Sequence, residues 1–168
     1  NVVTLVVYAA LAGALFLLPV QLQRVSGFSP VKAGSALLPV TIVMLLLSAR
    51  MGRLAQRIGP RRPLTIGPIV AAVGMGLLSR IDATSGYLTS VLPGVIVFAV
   101  GLSTTVATLT ATVLAAAPQH QVGVASAVNN AVSRVAGLIV IALLATIVGG
   151  RLDLAGFHSA AVVTAVLF

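Results

Sequence analysis

Apolar residues in this chain come in long unbroken runs separated by short polar breaks. A helix needs about 20 apolar residues to cross a hydrocarbon core of roughly 30 Å. The first run, residues 2–22, carries no formal charge and closes on Gln21, Gln23 and Arg24. Turn-forming residues follow (Ser26, Gly27, Phe28, Ser29, Pro30), then a second run at 33–49 that ends at Arg50. Residues 50–62 form a basic break, and a third run at 63–79 is closed by Arg80 and Asp82. From Ala83 through Ser133 there is no Lys, Arg, Asp or Glu. That stretch is too long for one span, and Pro118-Gln119-His120-Gln121 divides it into helices at 88–117 and 122–149. Arg151, Asp153 and His158 make a polar link to a last apolar stretch, 159–168. Six transmembrane helices are predicted. A membrane β-barrel would show roughly ten-residue segments of alternating polarity, which these continuous runs lack.

Composition agrees with the pattern. Of the 168 residues 59% are hydrophobic and 7% charged, with a mean hydropathy of +1.17. A soluble domain carries about a quarter charged residues, so a water-soluble enzyme is excluded and an integral membrane protein is implied. The net charge of +8 does not signal nucleic acid, because half of the basic residues fall in 50–62 between two apolar runs. Cations placed there are an orientation signal, and the five arginines outweigh Arg24 and Lys32 in the preceding break. Residues 50–62 are therefore expected in the cytoplasm, with the start of the first helix and His120 on the same side. There is no cysteine, hence no disulfide and no thiolate chemistry. The chain starts at Asn1 without a basic leader region and stops at Phe168 within an apolar run, so it reads as a fragment with its last helix truncated.

The basic segment runs Gly52-Arg53-Leu54-Ala55-Gln56-Arg57-Ile58-Gly59-Pro60-Arg61-Arg62. Gly52 is expected to allow close helix approach, and Gly59-Pro60 to set a sharp reversal. Its arginines can hold acids, helix-end carbonyls or anionic lipid headgroups. The segment resembles the G-x-L-a-D-R-x-G-R-[KR] loop of the major facilitator superfamily, except that Gln56 stands where that family has Asp. Other pieces are similar to the C-terminal half of 14-helix drug:proton antiporters: Leu18-Pro19-Val20-Gln21-Leu22-Gln23, Gly27-Phe28-Ser29-Pro30, Ala33-Gly34 leading to Leu38-Pro39, and Gly123-Val124-Ala125-Ser126-Ala127-Val128-Asn129-Asn130 continuing to Arg134 and Gly137. The fourth helix lacks the Arg, and the fifth the Gly-Pro, of the N-terminal half of such proteins. The resemblance thus implies a C-terminal six-helix bundle, all-α, built from two inverted three-helix repeats. It further implies alternating access and export of an amphipathic compound against inward proton flow.

Individual residues extend this reading. In the fifth helix Gly123, Ala127, Asn130, Arg134, Gly137 and Ile141 recur at steps of three and four and share one face. An Arg at mid-membrane costs roughly 2.5–3.5 kcal/mol on insertion scales, so this stripe is expected to face protein or water. Arg134 then either meets substrate or an acid of the other half, or it binds helix-end carbonyls while the asparagines cross-link neighbouring helices. In the fourth helix Gly94, Gly101, Thr105, Thr108 and Thr112 read chiefly as a packing seam, with Thr105 and Thr108 as possible cavity residues through the resemblance. Gly67, Ala71 and Gly74 form a matching seam in the third helix. Tyr8 and Phe16 can make an aromatic wall for a flat ligand or simply pack.

Two loop aspartates and two distant histidines make neither a catalytic pair nor a metal site. No phosphate-binding loop is present, and no cofactor is expected beyond the proton gradient that the resemblance implies. Proton coupling needs a buried carboxylate; none lies in these spans, so it is assigned to the absent N-terminal half. Expected partners are the bilayer of the cell membrane, that half, and a small amphipathic substrate; nucleic acid is not among them. Two alternatives stay open: a same-fold transporter of lipid, sugar or amino acid, and a transport-dead structural module.

Overall fold

The structure is a computed structural model that describes residues 2–24, 26–80 and 86–147, with side chains as far as Leu144. The first apolar run folds as α1, Val2–Arg24. Pro19 lies inside it, and the Gln23 side-chain amide donates to the Pro19 carbonyl at 3.2 Å. Gly27 takes a left-handed conformation (φ 66°) and turns the chain into the short α2, Pro30–Ser35. Ser29 caps α2, its hydroxyl accepting from the Lys32 amide at 3.3 Å, and Pro30 supplies the fixed φ that suits a first helical turn.

Helix α3 spans Leu38–Ile58, nine residues past the expected end of the second run. Charge does not stop a helix; a backbone breaker does. Arginine is a good helix former, the guanidiniums are exposed, and the first breaker is Gly59 at φ +83° followed by Pro60. The basic loop is therefore a two-residue reversal between long helices. Arg50, Arg53, Gln56 and Arg57 ride on α3, while Arg61 and Arg62 open α4, Arg61–Ser79. Gly52 does not mediate a close approach: a Cβ there would meet nothing within 4 Å. A π-helical turn, Tyr87–Val91, leads into α5, Leu92–Ala115, and the Tyr87 hydroxyl donates to the Ala36 carbonyl at 3.0 Å. A 3-10 turn at Gln119–Gln121 precedes α6, Val122–Ile147. The predicted helix at 159–168 and its polar link lie outside the described residues, as does Asp82.

Five spans among the described residues are long and apolar enough to cross a membrane. Their most extensive pairings are α4 on α5, α3 on α5 and α1 on α6. An inverted repeat that equates the first three spans with the next three turns the α1–α6 pair into the α5–α3 pair, and both are present. The seam between α4 and α5 is built from the small residues predicted for it. A Cβ at Gly67 would meet the Thr105 hydroxyl, one at Gly74 would sit 2.6 Å from Phe98 Cα, and one at Gly101 would sit 2.7 Å from Ala71 Cα. In lipid, where no hydrophobic effect drives helices together, such backbone proximity supplies the dispersion that does. Phe98, Leu102, Met75 and Leu78 fill the space around this seam, and Leu17, Leu18 and Leu22 are equally buried on α1.

Candidate functional site

Two consecutive asparagines define the two sides of α6. Successive residues on a helix point about 100° apart, so Asn129 and Asn130 cannot share a face. Asn129 is 8% exposed and points toward α1, where its side-chain oxygen accepts from the Thr4 hydroxyl at 3.1 Å. Ala136, Val140 and Leu144 are buried on this same side of α6. Thr4 had no signal in the sequence, since only the α1–α6 packing reveals its partner. Interhelical hydrogen bonds of this kind contribute about 0.6 kcal/mol on average. A Thr4→Val, Asn129→Leu double-mutant cycle on the full-length protein should give a coupling near that value. Strictly additive changes in thermal stability would show that the bond contributes nothing.

The other side carries the polar stripe. Gly123, Ala127, Asn130, Arg134 and Ile141 are exposed, and Gly137 lies at the stripe's edge, where an added Cβ would come 3.4 Å from Ala12 Cβ. Arg134 Nε donates to Asn130 Oδ1 at 3.3 Å, one turn away. Twelve residues separate Arg134 from the helix start, about 18 Å of rise, so it lies in the middle of α6, in a span long and apolar enough to cross a membrane. The structure thus brings Asn130 and Arg134 together on a face that no described helix covers.

The remaining candidates are placed elsewhere. Thr105 and Thr108 are fully buried, and Thr105 donates to the Gly101 carbonyl at 2.8 Å while standing against Gly67 in the seam. Thr105 is a packing residue in this arrangement. The Thr108 hydroxyl is buried without a hydrogen-bond partner. Tyr8 packs partly against the core, whereas Phe16 is 37% exposed. Eight helical residues put these rings about 12 Å apart along the axis and roughly 80° apart around it, so α1 does not assemble them into one wall. Gln56 is exposed at the edge of a 190 Å³ cleft that also touches Gly59, Pro60, Ala111 and Thr112, so the ends of α3 and α5 meet there. A wider, open cleft of about 400 Å³ lies between the end of α5 and the start of α6 against Val113, Pro118, Val124 and Val128. Among the described residues no group of His, Cys, Asp and Glu could hold a metal ion.

The sequence of residues 2–142 matches the family model described as Major Facilitator Superfamily. The chain belongs to that superfamily. It is a multi-pass membrane protein, and its curated relatives include drug-resistance and export proteins. The tetracenomycin C resistance and export protein of Streptomyces glaucescens is 31% identical over 140 residues, covering 83% of this chain and 26% of that protein. The puromycin resistance protein pur8 of Streptomyces alboniger is 34% identical over 143 residues, covering 83% and 28% respectively. The lincomycin resistance protein of Streptomyces lincolnensis is 31% identical over 179 aligned residues, 99% of this chain and 37% of that protein. This major-facilitator chain therefore spans 26% to 37% of the length of these relatives.

Proposed function

We propose that this chain is the C-terminal bundle of a proton-coupled efflux transporter of the cell membrane, exporting amphipathic small molecules of the kind its relatives confer resistance to. The observation that carries this reading is the Asn130–Arg134 pair in the middle of α6, on a face that no described helix covers. A guanidinium facing acyl chains is costly, so the face belongs against water, substrate or the other bundle. Two bundles rocking about a midplane site would expose that face alternately to each side. The bundle contributes a wall, with α1, α3, α5 and α6 near the cavity and α4 peripheral. The end bearing residues 50–62 lies in the cytoplasm, by the excess of arginine there. Neither aspartate falls in a described span, so the carboxylate that couples the proton sits in the remaining helices.

The test uses the full-length transporter in inverted membrane vesicles. A pH gradient should drive uptake of tetracenomycin C, puromycin or lincomycin, and a protonophore should abolish it. Uptake of at least one compound that ignores the gradient would overturn proton coupling; uptake of none would overturn the drug reading.

A further inference from the structure

The polarity of the Asn130–Arg134 pair restricts what it can hold. Between them α5 and α6 carry a single formal charge, the guanidinium of Arg134, and no carboxylate. A guanidinium offers five N–H donors, accepts nothing and keeps its proton at any physiological pH. Here Nε is engaged by Asn130 Oδ1 at 3.3 Å, so the Nη nitrogens at the end of the fork remain for a ligand. The same bond sets the asparagine amide. With Oδ1 turned to Arg134, the Nδ2 group is left to donate elsewhere. The Asn130 backbone carbonyl is engaged as well, by the Ser133 hydroxyl at 2.8 Å. The pair therefore presents donors and a positive charge, and the acceptors beside them are already in use.

The surface around these donors is apolar. Ala127 lies one turn toward the start of α6, while Leu138 and Ile141, exposed by 71% and 38%, lie one and two turns beyond Arg134. A cationic amphiphile placed here would meet a like charge and bring donors of its own. Donors that lose water and gain no partner are costly, and a site built on them rejects molecules that cannot accept. A carboxylate, sulfonate or phenolate meets both requirements, since charge-assisted hydrogen bonds to a guanidinium are about twice as strong as neutral ones.

We infer that the α6 face selects anionic amphipathic substrates, whose acidic group docks on the Arg134 Nη nitrogens and the Asn130 amide while the apolar body lies over Leu138 and Ile141. This inference rests on the cavity role proposed above for that face and specifies its substrate class. It draws on the direction of the hydrogen bonds and on charge, which hold whatever helix stands opposite.

The test is equilibrium dialysis of the full-length transporter in phosphatidylcholine nanodiscs, with empty nanodiscs as the blank. The probes are pyrene-1-sulfonate and pyren-1-ylmethyl-trimethylammonium, which share a ring system and differ in the sign of their charge. The sulfonate should bind at least about ten-fold more tightly. A hydrogen bond to a charged group is worth about one to two factors of ten in affinity, so Arg134→Gln should weaken the sulfonate roughly ten- to hundred-fold and leave the cation unchanged or tighter. Arg134→Lys, which keeps the charge without the fork, should fall between. Should Arg134→Gln fail to fold, the preference of the wild type between the two probes decides alone. Equal or tighter binding of the cation would overturn the anionic class. Sulfonate binding undiminished by Arg134→Gln would overturn the site and assign the guanidinium to contact with the other bundle. Gradient-driven uptake of an antibiotic by a transporter that binds no sulfonate would sink this inference and leave the efflux reading standing, whereas loss of both would sink the two together.

Discussion

Gly101→Val should abolish recovery of folded protein. Gly101 lies in the middle of α5, where an added Cβ would meet the Ala71 amide nitrogen and approach within 2.8 Å of the Gly67 carbonyl oxygen. Overpacking usually costs about 1–3 kcal/mol because side chains can rotate aside. Here the obstacles are backbone atoms of α4, which yield only if the helices separate. Separation would cost the whole seam, including the packing of Phe98 against Gly74, and would exhaust much of a stability that is typically about 5–15 kcal/mol. Fluorescence-detected size-exclusion chromatography of the full-length protein fused to a fluorescent domain would show the monodisperse peak lost. Gly76→Ala is the control. It lies on the same helix pair with nothing within 4 Å of its Cβ, and alanine should be neutral or slightly stabilising there. Equal expression and peak shape for both variants would show that the seam is not tight.

Arg134→Ala should lower transport roughly ten- to hundred-fold while leaving insertion and peak shape intact. A hydrogen bond to a charged group contributes about 1.5–3 kcal/mol, and each 1.4 kcal/mol is a factor of ten. Because Arg134 bonds to Asn130 and packs against no core residue, its loss should fall on transport rather than on folding. Arg134→Lys keeps the charge but not the planar fork and should be intermediate; Asn130→Ala should be milder than either. Unchanged uptake at matched protein level would give Arg134 a purely structural role. A fall in uptake accompanied by aggregation would point the same way.

The boundaries legible in the sequence were those written in backbone chemistry. Gly59-Pro60 and Pro118 mark turns because their dihedrals are restricted whatever surrounds them. The end of α3 was misplaced because Arg50 reads as an interface signal, yet the helix continues through it to Ile58. Glycine spacing located the α4–α5 seam, since spacing of small residues is itself the condition for close approach. The same reasoning failed at Gly52, where an added Cβ would meet nothing within 4 Å. For the candidate site, periodicity gathered Asn130 and Arg134 on one face, whereas it could not separate Thr105, which faces α4, from a cavity position.

Sequence alone determined that this protein is a helical membrane protein, that its chain turns at Gly59-Pro60 and at Pro118, and that five of its ten basic residues gather in one segment. Those properties follow from transfer energies and backbone restrictions that act residue by residue. Which helix covers which face was decided only in three dimensions. Thr4 meeting Asn129, Thr105 lying in the seam and Arg134 standing uncovered all depend on contacts between residues far apart in the chain. A helical period shows which residues share a face, and only packing shows what lies opposite that face.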